Sequence, residues 1–161
     1  MVAPDRNMSG AAHSITMGKS HRIMELGQDW FAVDGTPSDC VFTAVKKIIP
    51  EKVDLVISGI NKGANIGEDI LYSGTVAAAK EAVVQGIPAM SVSLSGEAPW
   101  KFDVAAKIMR RVLDHWMEHP LPPGTVLNLN VPNAELNQLK GIRMTSQGRR
   151  RPVPPPPKKF W

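Results

Sequence analysis

Residues 53–67 read VDLVISGINKGANIG, and this stretch decides the fold class. Its first five residues, 53–57, are mostly apolar and β-branched, a pattern typical of a strand that is covered on both faces of a sheet. Closely spaced glycines follow, and these let the backbone turn sharply and approach a ligand. A buried strand that leads into such a loop indicates the carboxyl edge of an α/β sheet, where ligands of these folds bind.

Helices and strands alternate on both sides of this stretch. Upstream, Thr36 is a good N-cap, Pro37 suits the first helical position, and the apolar spacing predicts a helix that ends before Pro50. Downstream, the pattern predicts a small-residue helix over 75–85 and an amphipathic helix over 102–116. Strands are predicted at the opening residues, within 10–23, and at 30–33, 53–57, 89–94, 126–131 and 142–145. The predicted fold is therefore α/β, a three-layer α/β/α sandwich with a Rossmann-like, mainly parallel sheet.

The composition fits one ordinary domain. The chain has 161 residues, of which 43% are hydrophobic and 21% are charged. The net charge is +4, but residues 149–161 hold five of the 19 Lys and Arg residues, so the rest of the chain is nearly neutral. We therefore expect no nucleic-acid polymer as a partner. We predict a domain over residues 1–148 and a flexible, basic, proline-rich tail over residues 149–161.

Cysteine usage and hydropathy indicate the compartment. Cys40 is the single cysteine, which excludes an internal disulfide and fits a reducing environment. No apolar run approaches the roughly 20 residues of a membrane span, so we expect no membrane association. The prediction is a cytoplasmic protein.

Three polar loops follow predicted strands or precede a helix, at residues 4–10, 58–69 and 72–75. Ser9 and Asn61 are neutral oxygen donors, which suit hard cations such as Mg²⁺ or Mn²⁺. Ser73, Gly74 and Thr75 begin a helix, where unpaired N–H groups, two hydroxyls and the positive end of the dipole favour a phosphate. A metal beside an anion site predicts phosphoryl chemistry.

Each of these residues also has a purely structural interpretation. Ser9 and Asn61 could be turn formers, because Ser and Asn are favoured in loops by local hydrogen bonds. Ser73 could be only a helix cap, a role that is compatible with phosphate binding. His13 is near the predicted site, but a solvated loop histidine is the commoner case.

Three further motifs support other functions only weakly. His115 and His119 are four residues apart and could share a metal, but no third ligand is apparent, so a solvated helix end is favoured. Residues 149–155 have the Arg-x-x-Pro-x-x-Pro form that SH3 domains bind, a pattern that is frequent by chance in basic tails. A dinucleotide-binding oxidoreductase fits the fold, but the Gly-x-Gly-x-x-Gly turn is absent.

Four long motifs occur in order along the chain: VAPDRNMSG at 2–10, GTPSDCV at 35–41, SGINKGANIGED at 58–69 and YSGTVAAA at 72–79. Their order and spacing resemble the signatures of the SurE family of nucleotidases. The later LNLNVP at 127–132 is similar as well, and the likeness runs to about residue 148. Several motifs in register are far more specific than a single glycine pattern.

The resemblance implies a metal-dependent phosphomonoesterase that hydrolyses nucleoside 5′- and 3′-monophosphates. It implies a divalent metal ion, Mg²⁺ or Mn²⁺, and a homo-oligomer, either a dimer or a tetramer. By the same resemblance, Ser9 and Asn61 are catalytic residues that help to hold the metal. Ser73, Gly74 and Thr75 lie against the phosphate.

The sequence also departs from the family pattern. Family members open with a strand that ends in Asp-Asp-Gly, whose carboxylates are the main metal ligands, and no Asp-Asp pair occurs in these 161 residues. We therefore expect a relative truncated at both ends, with the first βαβ element missing and with impaired activity. The alternative is a catalytically inactive fragment or an interaction module of the same fold.

Overall fold

The computed structural model describes residues 1–149, which form six strands and four α-helices. The strands are β1 (Val2–Pro4), β2 (Ile23–Gly27), β3 (Trp30–Val33), β4 (Val56–Lys62), β5 (Ala89–Ser95) and β6 (Val126–Pro132). The α-helices are α1 (Pro37–Thr43), α2 (Asp69–Tyr72), α3 (Gly74–Val84) and α4 (Phe102–Glu118). A π-helical turn (Ala44–Ile48) extends α1, and a 3₁₀ turn (Leu136–Gln138) follows β6.

The strands form two sheets of three. One has the order β4-β5-β6 and is fully parallel, and the other has the order β1-β3-β2, with β1 parallel and β2 antiparallel to β3. Three of the four pairings are thus parallel, which confirms the mainly parallel prediction. Within residues 1–149, four strands have one edge that pairs with no other strand: β1 and β2 in one sheet, and β4 and β6 in the other.

Helices cover both faces of the parallel sheet. On one face, Val41 of α1 and Ala79 and Ala82 of α3 pack against Ala89 of β5. On the other face, residues of α4 pack against β5 and β6 through Ala105, Ile108, Leu94 and Val131. Strand β5 lies between the two layers, and its first six residues are all buried. This arrangement confirms the predicted three-layer α/β fold.

The start of α1 confirms its sequence signals. Thr36 is the N-cap and accepts a hydrogen bond from the Asp39 N–H, while the Asp39 carboxylate accepts one from the Thr36 N–H, which completes a capping box. Pro37 occupies the first turn, as predicted. Among residues 1–149, none of the helices combines the length and apolar character that a membrane span requires.

Three strand predictions were wrong in position or existence. The strand predicted at 53–57 is β4, Val56–Lys62, because its pairing with β5 runs from Val56↔Ala89 to Lys62↔Leu94. The short strand predicted within 10–23 is instead β2, which is held as the antiparallel partner of β3. No strand forms over 142–145, where Ile142 is 59% exposed, so no packing holds an extended segment there.

The predicted boundary between domain and tail lies at the end of the described chain. Arg149 is described and has no regular structure. Residues 150–161, with the proline run and most of the SH3-type motif, lie outside the described residues. The two-part organisation therefore stays a prediction.

Candidate functional site

A cleft of about 370 Å³ lies where the carboxyl ends of β1 and β4 meet the N-terminus of α3. All five residues that the sequence singled out line it: Ser9, Asn61, Ser73, Gly74 and Thr75. The other lining residues are Pro4, Arg6, Asn7, Met8, Gly10, Pro37, Lys62 and Asn65. The three loops, far apart in sequence, thus share one cavity.

Ser9 lies in a turn that Asn7 holds. The Asn7 side-chain oxygen accepts hydrogen bonds from the Ser9 N–H at 2.9 Å and from the Ser9 hydroxyl at 2.7 Å. This is the local pattern expected of a turn former. Because the hydroxyl acts as the donor in this bond, its oxygen lone pairs remain available to a ligand in the cleft.

Asn61 is oriented by the backbone that follows it. Its amide nitrogen donates to the carbonyl oxygens of Gly63 at 2.9 Å and Lys62 at 3.3 Å. This orientation turns the side-chain oxygen the other way, and no residue within 1–149 donates a hydrogen bond to it. The two hydrogen bonds therefore fix the Asn61 side chain in one rotamer and leave its neutral Oδ1 available to a ligand.

The N-terminus of α3 has the features of an anion site. Ser73 is the N-cap, and its hydroxyl oxygen accepts from the Val76 N–H at 3.1 Å. The N–H groups of Gly74 and Thr75 belong to the first turn, so they have no intrahelical acceptor. A Cβ at Gly74 would lie 2.8 Å from Cγ of Pro37, so the close approach of α1 and α3 depends on glycine here.

Two cationic side chains, Arg6 and Lys62, line the cleft, and no carboxylate is among its lining residues within the described chain. The Arg6 guanidinium pairs with the Asp5 carboxylate at 3.1 Å, so Lys62 is the cation of the two without an ion-pair partner within residues 1–149. Together with the positive end of the α3 dipole, this composition fits an anion. The same residues do not form a site for a divalent cation. Only the neutral oxygens of Ser9 and Asn61 would face the ion, and they carry no negative charge to balance it. The described residues alone are thus not a complete metal site.

Two networks that support the site were not found from the sequence. Asn65, which is buried, donates through its backbone N–H to the Asn130 side chain at 2.8 Å and through its amide to the Ser93 hydroxyl at 2.6 Å. Asn128 and Asn130 donate back to the Asn65 carbonyl oxygen. The alternating asparagines of the LNLNVP motif were the available signal, since two polar side chains on one face of a half-buried strand need partners.

The second network surrounds Asp39, which is 2% exposed. Its carboxylate accepts hydrogen bonds from the Thr16 N–H and hydroxyl, at 2.8 and 2.7 Å, and from the Thr36 N–H at 2.8 Å. His21 lies between two acidic residues, with Nε2 at 3.5 Å from Asp39 and Nδ1 at 3.3 Å from Asp34. These bonds tie residues 14–22 to the start of α1, where Pro37 contributes to the cleft.

Two other reactive side chains take no part in the cleft. Burial, helped by the nearby Asp39 and Asp5 carboxylates, raises the pKa of the Cys40 thiol to about 12, so Cys40 is a core residue, as predicted, and not a nucleophile. His13 does not line the cleft, and its Nε2 lies 3.2 Å from the buried Glu81 carboxylate on α3.

The motif order, the fold and the cleft can be compared with known proteins. A sequence model of the family described as "Survival protein SurE" matches residues 1–153. The chain belongs to the SurE family. Its relatives include "5′-nucleotidase SurE" from Magnetococcus marinus, 46% identical over 157 residues that make up 97% of this chain and 63% of the relative. Another is "5′-nucleotidase SurE" from Pseudoalteromonas atlantica, 46% identical over 93% of this chain and 60% of the relative.

The fold comparison agrees with the sequence comparison. The crystal structure of the SurE protein from Aquifex aeolicus superimposes with a TM-score of 0.88 at 42% identity, over 92% of this chain and 61% of that one. The SurE family and the Rossmann-like α/β fold predicted from the sequence are therefore confirmed. The chain spans about three fifths of the length of these relatives.

Proposed function

We propose that this chain forms the phosphate-binding part of a SurE-family nucleotidase, a phosphomonoesterase with nucleoside 5′- and 3′-monophosphates as substrates. The observation that supports the proposal most strongly is the shared cleft of Ser9, Asn61 and Ser73–Thr75. The names of the relatives supply a 5′-nucleotide as the substrate, and Lys62 and the N-terminus of α3, which both line the cleft, suit the dianionic phosphate of a nucleoside monophosphate.

The residues divide into two groups by chemistry. The phosphate oxygens accept hydrogen bonds from the Gly74 and Thr75 N–H groups, and Lys62 and Arg6 balance the charge. Ser9 and Asn61 contribute neutral oxygens toward a divalent metal ion, Mg²⁺ or Mn²⁺. In phosphate-ester hydrolysis such an ion polarises the phosphoryl group, but carboxylates are needed to hold it, and none lines the cleft within residues 1–149.

Hydrolysis by the 161-residue chain is therefore expected to stay near background. We expect phosphate release from AMP in the presence of Mn²⁺ to match that of a Ser9→Ala/Asn61→Ala double variant, because two neutral ligands do not hold the ion. The measurement is a phosphate assay at neutral pH. A wild-type rate at least tenfold above that of the double variant would contradict this expectation and assign catalysis to the chain itself.

Binding, in contrast, is expected to survive without catalysis. AMP should bind to the wild-type chain, and Lys62→Ala should weaken its binding about tenfold, because a charged donor at a phosphate contributes about 1.5 kcal/mol. Isothermal titration with AMP, and with adenosine as the uncharged control, measures this. Equal affinity for AMP and adenosine would overturn phosphate recognition and favour the alternative, an interaction module of the same fold.

Ser73 is expected to matter for both stability and binding. Ser73→Ala removes the N-cap acceptor of the Val76 N–H, which should lower the free energy of unfolding by about 1 kcal/mol. Ser73 also lines the cleft, so the affinity for AMP should change as well. Thr125→Ala, a hydroxyl outside the cleft, is the control, and thermal unfolding with AMP titration is the measurement.

The wider setting is also a proposal. We propose a homo-oligomer, either a dimer or a tetramer, in the cytoplasm, with no nucleic-acid polymer or membrane as a partner. Support comes from the family membership and from the near-neutral charge of residues 1–148.

A further inference from the structure

The C-terminal end of α4 carries a cluster of metal-ligating side chains far in sequence from the cleft residues. His115, Glu118 and His119 each offer one ligand atom, and these three atoms lie within 4.8 Å of one another. Within the described chain, this is the one group of three or more His, Cys, Asp or Glu side chains with such an arrangement. The positions i, i+3 and i+4 put them on the same face of the helix.

The backbone holds His119 in a form that is ready for a metal. Nδ1 of His119 lies 3.1 Å from the His115 carbonyl oxygen, which can only accept a hydrogen bond, so Nδ1 carries the proton. The lone pair of the neutral ring is then on Nε2. Metal-binding histidines usually donate their second ring N–H to a carbonyl or carboxylate in this way, which fixes the tautomer and the ring orientation.

The two imidazoles are also already side by side. Their ring centroids are 4.4 Å apart with an angle of 29° between the planes. Because each nitrogen lone pair lies in the plane of its ring, one of these stacked rings must rotate before both nitrogens face the same ion, and the exposed side chains leave room for that rotation. The last turn of a helix carries the negative end of the dipole, which favours a cation at this place.

We propose that His115, Glu118 and His119 form a surface site for a divalent transition metal of the Zn²⁺ class. Two imidazoles and one carboxylate are a ligand set that suits Zn²⁺, with a water in the fourth position. The same set disfavours Mg²⁺, which prefers oxygen ligands, so this site is separate in chemistry from the cleft.

The site binds the ion but does not form a catalytic centre. The order His-x-x-Glu-His also occurs in zinc peptidases, where the glutamate acts as a base beside the metal. Here all three residues are exposed to solvent, and none of them lines the cleft of Ser9, Asn61 and Ser73–Thr75. The role that the geometry allows is structural. An ion bound to these residues would link the side chains across the last turn of α4, and one coordination position would stay open to solvent.

The test is isothermal titration of the untagged chain with ZnCl₂, with thermal unfolding as a second readout. We expect one equivalent to bind in the micromolar range and the Tm to rise with Zn²⁺ concentration. His115→Ala and His119→Ala should each weaken binding at least about tenfold, and Glu118→Gln should weaken it less. Met117→Ala, an exposed neighbour on the same turn, should bind like the wild type.

Two results would overturn the proposal. One is a wild-type chain that takes up no Zn²⁺ at a concentration of 100 μM, and the other is unchanged affinity in both histidine variants. Because the three residues are exposed, the variants should fold normally, which circular dichroism checks. The Ser9→Ala/Asn61→Ala variant should keep its Zn²⁺ site, and loss of binding there would move the site to the cleft and contradict the proposal.

Discussion

Gly59→Ala is expected to lower the free energy of unfolding by about 3 kcal/mol or more, the sum of an unfavourable backbone conformation and a steric overlap. Gly59 has a φ of +118°, which side chains rarely adopt. An added Cβ would fall on the carbonyl oxygen of Val92 in β5, well inside van der Waals contact. A loss of this size is a large part of the roughly 5–15 kcal/mol that stabilises a typical domain.

The substitution should also damage the cleft. Gly59 lies in an irregular part of β4, where the pairing with β5 passes from Ser58↔Ser91 to Asn61↔Ser93 and so inserts one extra residue. This insertion carries Asn61 into the cleft. Any shift of β4 away from Val92 moves Asn61 with it, so binding of AMP should fall together with stability.

Gly63→Ala is the matched control. Gly63 also has a positive φ, +103°, but nothing lies within 4 Å of the position of its Cβ. It therefore isolates the backbone cost, about 1–2 kcal/mol, from the steric overlap. Urea unfolding followed by tryptophan fluorescence measures both variants, and equal losses for the two would refute the overlap with Val92.

Asp39→Ala is expected to be comparably severe, with a loss of about 3–4 kcal/mol, because it leaves buried N–H groups without an acceptor. The N–H groups of Thr16 and Thr36 lose their carboxylate partner, and so does the Thr16 hydroxyl. His21 loses one of its two acidic neighbours. Residues 14–22 should then detach from the start of α1.

The control for Asp39 is Asp103, which is also an acidic residue in the first turn of a helix. Asp103 is exposed and pairs only with Lys107, at 3.6 Å. Asp103→Ala should cost about 0.5 kcal/mol or less. If the two alanine variants unfold at the same urea concentration, the buried network has no special importance.

Asp39 also predicts a dependence of stability on pH. Burial raises the pKa of its carboxyl group, but the hydrogen bonds from Thr16 and Thr36 lower it more, so the pKa lies below 3.8. A lowered pKa gives stability that is fully present above pH 3.8 and is lost as the pH falls through the folded value. The difference in unfolding free energy between wild type and Asp39→Asn should therefore shrink below pH 4 and stay constant above pH 5.

The sequence predicted that the segments around Ser9, Asn61 and Ser73 would lie close together, because α/β folds share a general rule about where ligands bind. Ligands of α/β folds bind beyond the carboxyl ends of the strands, and Ser9 follows β1 while Asn61 lies near the carboxyl end of β4, so both could be expected near Ser73. The start of α1 was also well predicted, because the neighbouring residues Thr36, Pro37 and Asp39 encode it, whereas the short helix α2 was not predicted. A helix cap depends only on residues that are neighbours in the chain, so a single sequence is enough to identify it.

The errors came from interactions that a local pattern does not contain. Residues 53–57 have the most strand-like composition, but pairing with β5 moves the strand to Val56–Lys62. Residues 142–145 look equally suitable, but no strand within residues 1–149 pairs with them. In the sequence, Asn65 looks like any polar loop residue. Only the folded sheet places its partners Ser93 and Asn130 beside it. Long-range hydrogen bonds decided each case.

The unpaired edges of β1 and β4 affect how the protein behaves in concentrated solution. Along one side of β1 and of β4, backbone N–H and C=O groups point outward without a strand partner within residues 1–149, and Ile57 on β4 is 40% exposed. A strand of another molecule can pair with such an unpaired sheet edge. Concentrated solutions should therefore form strand-linked assemblies at a rate that increases with protein concentration, and a short peptide that caps these borders should slow their growth.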